Sequence, residues 1–453
     1  MASSVDDLLC VLPGIVPAAL EGRVVRTMGL AAAVADFPAP VGAVVEIERL
    51  AAPAVRGEVI GFRDDATLVY LTGDAAGIRR GDRVRLTRTA CTLQMGPELL
   101  GRVVNSEGAF IDGKPRAALP CRTTFDPVAI SATERPRIDT ALSTGIRAID
   151  ALLTCGKGQR IGLFAGAGIG KSMALGMITR LTQADVNVVA LVGERGREVN
   201  EFIERELGAA LDKSVVVVAT SDEPAIARVR AAHAAATIAE FFRDQGNDVL
   251  LVMDSLTRWA LAQREIGLAA GEAAGVRGYP PSVYSALPRL LERCGRTQRG
   301  SITAFYSVLA EGDDPNEPIS DAVRGLLDGH VWLSRKLAAR GHYPAIDVLD
   351  SVSRLMTDVA DREHRAAAET VRSVLAAYRE HEDLVSVGAY RRGTMPLVDV
   401  ALEMRDEIDA FLRQRLDEPS SLAETRQQLM ALAEWMRAHL NGGSREPGAA
   451  GVQ

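Results

Sequence analysis

Residues 165 to 172 read Ala-Gly-Ala-Gly-Ile-Gly-Lys-Ser, directly after the apolar run Ile161-Gly162-Leu163-Phe164. A strand, a glycine-rich turn and a Lys-Ser pair opening a helix form the layout that wraps a polyphosphate. With glycine at every second position, backbone N–H groups from Gly166, Ala167, Gly168, Ile169 and Gly170 can converge on phosphate oxygens. The helix after this turn adds its own unpaired N–H groups and the positive end of its dipole. Lys171 is then placed to reach the β- and γ-phosphates, and the Ser172 hydroxyl to ligate Mg²⁺. Only five of the 52 Lys and Arg residues are lysine, so a lysine inside the tightest glycine cluster is not a product of composition. Ala165 departs from the general pattern, which has its first glycine there. The pattern predicts binding of a nucleoside triphosphate.

Two acids close apolar runs farther along. Val249-Leu-Leu-Val-Met253 reads as a buried strand, and Asp254 emerges at its C-terminal edge, where phosphate-loop proteins hold Mg²⁺ or its waters. Val188-Val-Ala-Leu-Val192 runs into Gly193-Glu-Arg-Gly-Arg-Glu198. Hydrolysis needs a carboxylate that orients and deprotonates water in line with the γ-phosphate, and Glu194 suits that role. On these residues alone, an equal alternative is that Glu194 pairs with the neighbouring arginines at a helix start.

These residues need strands and helices to position them. From about Thr140 to Thr357 apolar strands alternate with helices, as in a parallel α/β sheet. The predicted strands are Arg160–Ala165, Val186–Val192, Ser214–Ala219, Val249–Met253, Ser301–Val308 and Gly329–Leu333. Before them, residues 22–93 change to a period of two, with runs such as Gly42–Ile47 and Gly57–Phe62 between turns at Asp64-Asp65, Gly73-Asp74 and Gly81-Asp82. That spacing predicts a small β-barrel or sandwich. Residues 1–21 carry an amphipathic helix over Ser3–Leu12, and Pro97 to Asp126 reads as a turn-rich linker. Beyond Asp358 helices dominate, one over Asp399–Leu416 and another opened by the capping box Ser421-Leu-Ala-Glu424. The expected division is a barrel over 22–93, a nucleotide-binding domain over 94–365, a helical domain over 366–441 and a disordered tail over 442–453.

The bulk composition sets limits on class. A net charge of −7 argues against a nucleic-acid-binding surface over the whole protein. Five scattered cysteines without a C-x-x-C pair argue against a disulfide framework or a zinc site. No signal peptide and no membrane-length apolar run is apparent, which predicts a cytoplasmic protein.

Several longer segments carry a resemblance. They are Leu152-Leu-Thr-Cys-Gly-Lys-Gly-Gln-Arg160, Gly193-Glu-Arg-Gly-Arg-Glu198, Met253-Asp-Ser-Leu-Thr-Arg258 and Gly278-Tyr-Pro-Pro-Ser-Val283. Further matches run from Glu311-Gly-Asp-Asp314 to Asp328-Gly-His330, and from His342-Tyr-Pro-Ala-Ile-Asp347 to Ser351-Val-Ser-Arg354. From about Gly22 to Tyr390 the chain resembles the flagellar and type III secretion export ATPases, homologues of the rotary F-type and V-type catalytic subunits. The resemblance implies a RecA-like central domain binding ATP and Mg²⁺, with Glu194 as the catalytic glutamate. Arg195 and Arg258 would bring positive charge near the γ-phosphate, and Tyr343 would pack on adenine. Arg354 matches the arginine finger that reaches a neighbouring subunit's site. Ala165 agrees with the export branch.

The resemblance also implies a homo-oligomeric ring, with six subunits the family expectation. Stalk and regulator proteins, export chaperones, substrates and a membrane export gate are the implied partners. The implied location is the inner face of the cytoplasmic membrane. The phosphate-loop style and the Ala262-Gln-Arg-Glu-Ile266 run lean towards the flagellar branch. Three rivals are a rotary ATP synthase catalytic subunit, a Rho-type RNA translocase and a non-catalytic nucleotide-holding subunit. The Arg-Gly-Arg-Glu run after Glu194 speaks against the first, and Glu194 itself against the third. An RNA translocase needs aromatic residues on a basic barrel, and residues 22–93 offer only Phe37, Phe62 and Tyr70 among mixed charges, so no nucleic-acid partner is expected.

Overall fold

The computed structural model describes residues 20–125, 131–310, 312, 314 and 317–442. The Ser3–Leu12 helix and, apart from Gly442, the 442–453 tail lie outside the described residues, as do Glu311 and Asp313.

Alternation of apolar and polar residues over the first hundred positions produces six antiparallel strands. They are β1 (Glu21–Met28), β2 (Ala31–Ala35), β3 (Val44–Ile47), β4 (Val55–Arg63), β5 (Ala66–Leu71) and β6 (Arg83–Arg88). They close into a barrel in the order β1-β2-β5-β4-β3-β6, which leaves no open sheet edge. The period-two pattern is plain in β6, where Val84 and Leu86 point inward between the solvent-facing Arg83 and Arg85. Val24, Val45, Ile47, Val59, Val69 and Val84 fill the barrel. Two ties fasten it to the central domain. The Tyr70 hydroxyl donates to Glu265 at 3.0 Å, and Arg230 pairs with Glu58, its Nε at 2.7 Å.

The central sheet contains β7 (Arg102–Asn105), β8 (Arg160–Ala165), β9 (Val186–Glu194), β10 (Ser214–Thr220), β11 (Asp248–Asp254), β12 (Ser301–Leu309), β13 (Gly329–Leu333) and β14 (Ile346–Ser353). Their order is β14-β13-β8-β12-β11-β9-β10-β7. All neighbours are parallel except β14, which runs antiparallel to β13. Helices cover both faces, so the strands are apolar throughout; all nine positions of β9 are buried. The six predicted strands are all present, two with the predicted bounds and four longer by one or two residues.

Two edge strands correct the sequence reading. Pro97–Asp126 is no simple linker, because β7 lies within it and pairs with β10 from Arg102↔Val215 to Asn105↔Val218. The return of the chain after β7 is held by a buried ion pair, Arg102 Nε to Asp112 Oδ2 at 2.6 Å, and the Asp112 carboxylate also accepts the Val103 N–H. The Arg102 guanidinium holds the Asp112 carboxyl well below the usual carboxylate range. The other addition, β14, carries Ser351-Val-Ser353 up to Arg354.

The helical end also departs in one respect. The predicted Asp399–Leu416 helix is two helices, Pro396–Glu403 and Arg405–Leu412, broken at Met404 (φ −101°, ψ 14°). The break keeps Val400, Met404, Ile408, Phe411 and Leu412 on one buried cluster that also contains Ile149 and Leu152. The capping box forms as expected. The Ser421 hydroxyl accepts the Glu424 N–H at 3.2 Å, and the Glu424 carboxylate accepts the Ser421 N–H at 2.9 Å. No helix among the described residues is long and apolar enough to cross a membrane.

Candidate active site

The glycine-rich turn joins β8 to the helix Lys171–Leu181. Gly170 is its N-cap at φ 95°, a left-handed conformation that any side chain would strain, and a Cβ there would stand 3.4 Å from the Tyr343 ring. No side chain caps this helix and no acid occupies its first turn, so its first N–H groups stay open to an anion. Ala165 is fully buried in the core, so the residue at that position faces away from the turn.

Because β9 and β11 are adjacent, their C-terminal ends bring Glu194 and Asp254 side by side, with Leu191 opposite Asp254. An irregularity in the β9–β10 register between Val192 and Glu194 skips Gly193, and Glu194 then pairs with Thr220 at the end of the ladder. Lys171 bridges both acids, with Nζ 2.5 Å from Asp254 Oδ1 and 3.7 Å from Glu194 Oε1. Arg258 sits in the first turn of the helix Leu256–Ala269, whose N-cap Ser255 accepts the Arg258 N–H. Its guanidinium meets Glu194 Oε2 at 3.1 Å and the Gly193 carbonyl.

Burial, and next the charge of Asp254, push the Glu194 carboxyl up to about 7, against the opposing pull of Lys171 and Arg258. Its Oε1 is buried without a hydrogen-bond partner, as suits a group that awaits a water or ligand. A carboxylate poised near neutrality beside an open anion-binding turn can take a proton from water. Ser172 and Asp254 are the oxygen donors available to a hard cation. Among the described residues no cluster of three or more His, Cys, Asp or Glu that could hold a metal ion is present.

Lys171, Glu194, Asp254 and Arg258 are thus gathered within contact distance, around the turn formed by Gly166, Ala167, Gly168, Ile169 and Gly170 with Ser172. Tyr343 borders the turn and is 37% exposed, leaving a ring face for a base. Its carbonyl accepts the Gln414 N–H at 3.0 Å. Gln414 in turn accepts the Arg147 N–H at 2.8 Å and donates to the Gly145 carbonyl at 2.7 Å. Arg195 is not part of this group; its side chain is 78% exposed and pairs with Glu198 at 3.6 Å. Arg354 comes directly after β14, level with Arg160 at the start of β8. The Asp328 carbonyl accepts its N–H, and the Asp328 N–H donates to the Arg160 carbonyl. Five residues of β8 separate that level from Ala165, roughly 16 Å at about 3.3 Å per residue. Arg354 therefore stands at the opposite end of the sheet from its own chain's phosphate loop.

Two contributors escaped the sequence reading. Ser307 Oγ donates to Asp254 Oδ1 at 2.5 Å, and Arg335 Nη2 donates to the Ala167 carbonyl at 3.3 Å. A serine near the C-terminal end of the apolar strand β12 was the signal available for the first. Arg335 leaves no comparable mark.

A phosphate loop, a strand-end acid and a poised glutamate on a parallel sheet define a nucleoside-triphosphate hydrolase. The sequence pattern of the ATP synthase alpha/beta family, nucleotide-binding domain, matches residues 145–353, and that of the T3SS EscN ATPase C-terminal domain matches 360–431. The flagellum-specific ATP synthase of Bacillus subtilis is 46% identical, with 91% of this chain and 93% of the relative covered. The type 3 secretion system ATPase of Xanthomonas euvesicatoria is 48% identical, covering 91% and 94%. The assembled ATPase EscN of the enteropathogenic E. coli type III secretion system matches with a TM-score of 0.86 and 42% identity, covering 91% of this chain and all of that one. In complex with its central stalk EscO, it matches with a TM-score of 0.83. The chain belongs to the flagellar and type III secretion export ATPases; it binds nucleotide and is an ATPase. Identity to the flagellar and secretion relatives is nearly equal, so it does not favour either branch.

Proposed function

We propose that the protein is the ATP-hydrolysing motor of a flagellar or type III export apparatus, working as a ring of identical subunits with nucleotide at each interface. The observation that carries the ring is the separation between Arg354 and its own phosphate loop, since a finger on the far side of the sheet can serve only a neighbour. In this reading Lys171 and the open N–H groups bind the β- and γ-phosphates, and Tyr343 stacks on adenine. Glu194 orients water and takes its proton. Ser172 and Asp254 hold Mg²⁺, which supplies charge neutralisation at the phosphates. Arg258 keeps Glu194 in place, and Arg195, exposed and paired with Glu198, stands outside the group at the phosphate turn. Arg354 of the adjacent subunit stabilises charge on the transferring phosphoryl group, an effect of about 10³–10⁵ in rate in related systems.

By analogy with the assembled relative and its stalk, the helical domain would meet a stalk protein, regulator, chaperones and substrates beside a membrane export gate, in the cytoplasm. The match of residues 360–431 to the secretion-type C-terminal domain supports this over a rotary synthase. An RNA translocase lacks support, since Phe37 is buried in the barrel, Tyr70 is buried against the central domain, and Phe62 alone of the three is exposed. The test is subunit mixing. Rings made only of Glu194→Gln or only of Arg354→Ala subunits should be silent. In a one-to-one mixture about a quarter of the interfaces pair an intact glutamate with an intact finger, so activity should return to about that fraction. No recovery at any ratio in assembled rings would overturn the shared site.

A further inference from the structure

Three segments that stand out in the sequence without a chemical role meet at one point beneath Arg354. They are Leu152–Arg160, Asp328–His330 and Ser351–Arg354. At their centre lies Gln159, fully buried. Its Oε1 accepts the Gly156 N–H at 2.8 Å. Its Nε2 donates to the Asp328 carbonyl at 3.1 Å and to Ser353 Oγ at 3.1 Å. The same Asp328 carbonyl accepts the N–H of Arg354 at 3.0 Å. Ser353 Oγ donates onward to the Thr154 carbonyl at 2.8 Å. The Asp328 carboxylate grips Arg160 through its N–H at 3.0 Å, its Nε at 3.0 Å and its Nη2 at 3.1 Å. Close packing at this point also excludes a side chain from Gly329, where a Cβ would stand 2.6 Å from the Val352 carbonyl.

The guanidinium of Arg354, by contrast, is exposed, and its hydrogen bond is a long one to the Arg324 carbonyl at 3.4 Å. The backbone under the finger is therefore fixed while the side chain is free to extend. A buried amide that satisfies three partners specifies one arrangement of the groups around it. Gln159 lies directly before β8, which Arg160 begins and whose other end leads into the phosphate loop.

We propose that Gln159, acting with Ser353, is a positioning residue for catalysis in the adjacent subunit. It pins the base of the Arg354 finger to the strand that carries this subunit's own phosphate loop. The inference rests on Arg354 acting across the interface. Displacing a transition-state group by about 1 Å costs on the order of 10²-fold in rate. Gln159→Leu is therefore expected to lower kcat of homogeneous rings by about that factor. Ser353→Ala, which removes one tie of the two, should lower kcat by about tenfold. KM and equilibrium binding of ATP should stay within about twofold, because the subunit's own nucleotide site is intact. Ser353→Thr keeps the hydroxyl and should keep the rate.

The decisive readout is the complementation class, measured as ATPase activity of mixed rings. Both variants should be rescued by Glu194→Gln subunits, which bring an intact finger, and not by Arg354→Ala subunits. Unchanged kcat in Ser353→Ala and Gln159→Leu, or rescue by Arg354→Ala subunits, would overturn the proposal. Should Gln159→Leu fail to assemble, Ser353→Ala, which deletes a single hydroxyl, decides. Failure of Glu194→Gln and Arg354→Ala to complement each other would instead remove the shared site itself, and this inference with it.

Discussion

Glu194→Gln is expected to stabilise the nucleotide-free protein while abolishing turnover. The carboxyl titrates near 7 in the folded protein against an ordinary value of 4.5, so folding disfavours its charged form. The cost is absent below about pH 4.5, where both states are protonated. It grows between there and pH 7, and is complete above. At 1.36 kcal/mol per pKa unit it amounts to about 2 kcal/mol at pH 6 and about 3 kcal/mol at pH 8. A neutral amide of the same shape avoids it, while Lys171 keeps its partner Asp254 at 2.5 Å. Denaturant unfolding of both proteins at the two pH values measures the difference. Trp259, fully buried one residue after Arg258, reports the nucleotide-binding domain by fluorescence. ATP binding should persist in the variant while phosphate release stops. Wild type as stable as the variant at pH 8, or more so, would mean that Lys171 and Arg258 outweigh burial and the charge of Asp254. The account of a poised base would then be wrong.

The same carboxyl should govern the pH profile: kcat/KM for ATP is expected to fall about tenfold per unit below pH 7, and a flat profile down to pH 6 would exclude Glu194 as the base. Lys171→Ala should weaken equilibrium binding of ATP by at least about a hundredfold, since it removes a charge-assisted contact to phosphate. Tyr343→Ala should raise KM for ATP by about tenfold with kcat little changed, and Tyr343→Phe should behave as wild type, as measured by steady-state kinetics.

Strand-end chemistry was legible in the sequence because it is local. An apolar run of five or six residues ending in one acid singles out Asp254 and Glu194 as candidates, with pairing to the neighbouring arginines an equal reading for Glu194 until the longer resemblance is counted, and the Gly-x-Gly-Lys-Ser spacing marks the loop between β8 and its helix. Features that depend on distant partners could not be read. β7 is four residues between turns, and it becomes a strand only because β10, more than a hundred residues later, offers an edge. Ser307 lies in a run otherwise fit for a buried strand, and its role exists only because Asp254 ends the neighbouring strand. The break at Met404 arises from packing against Ile149 and Leu152, since the local pattern continues a helix through it. The finger's motif was visible, but its placement was not. That Arg354 lies far from its own Lys171 depends on β14 running antiparallel to β13, a choice of direction that no local spacing encodes.

The charges of the site argue for an ordered demand on its ligands. Lys171 lies between two acids on adjacent strand ends, and Arg258 is already committed to Glu194 and the Gly193 carbonyl. A triphosphate competes for Lys171. As the lysine turns to phosphate, Glu194 and Asp254 lose the cation between them while the anion adds negative charge nearby. On the proposed assignment of Asp254 and Ser172 to a divalent cation, nucleotide without the cation meets a growing repulsion that nucleotide with it relieves. Beyond Lys171 the γ-phosphate gains no further cation from this chain, because Arg258 cannot leave Glu194 without freeing a buried carboxylate. Arg195 points to solvent and Arg354 to the far side. The remaining charge must come from outside the subunit, so the chain by itself can hold ATP but is poorly equipped to cleave it. ATPase activity per subunit should therefore rise with protein concentration as rings assemble, and a rate per subunit independent of concentration through the assembly transition would refute this argument.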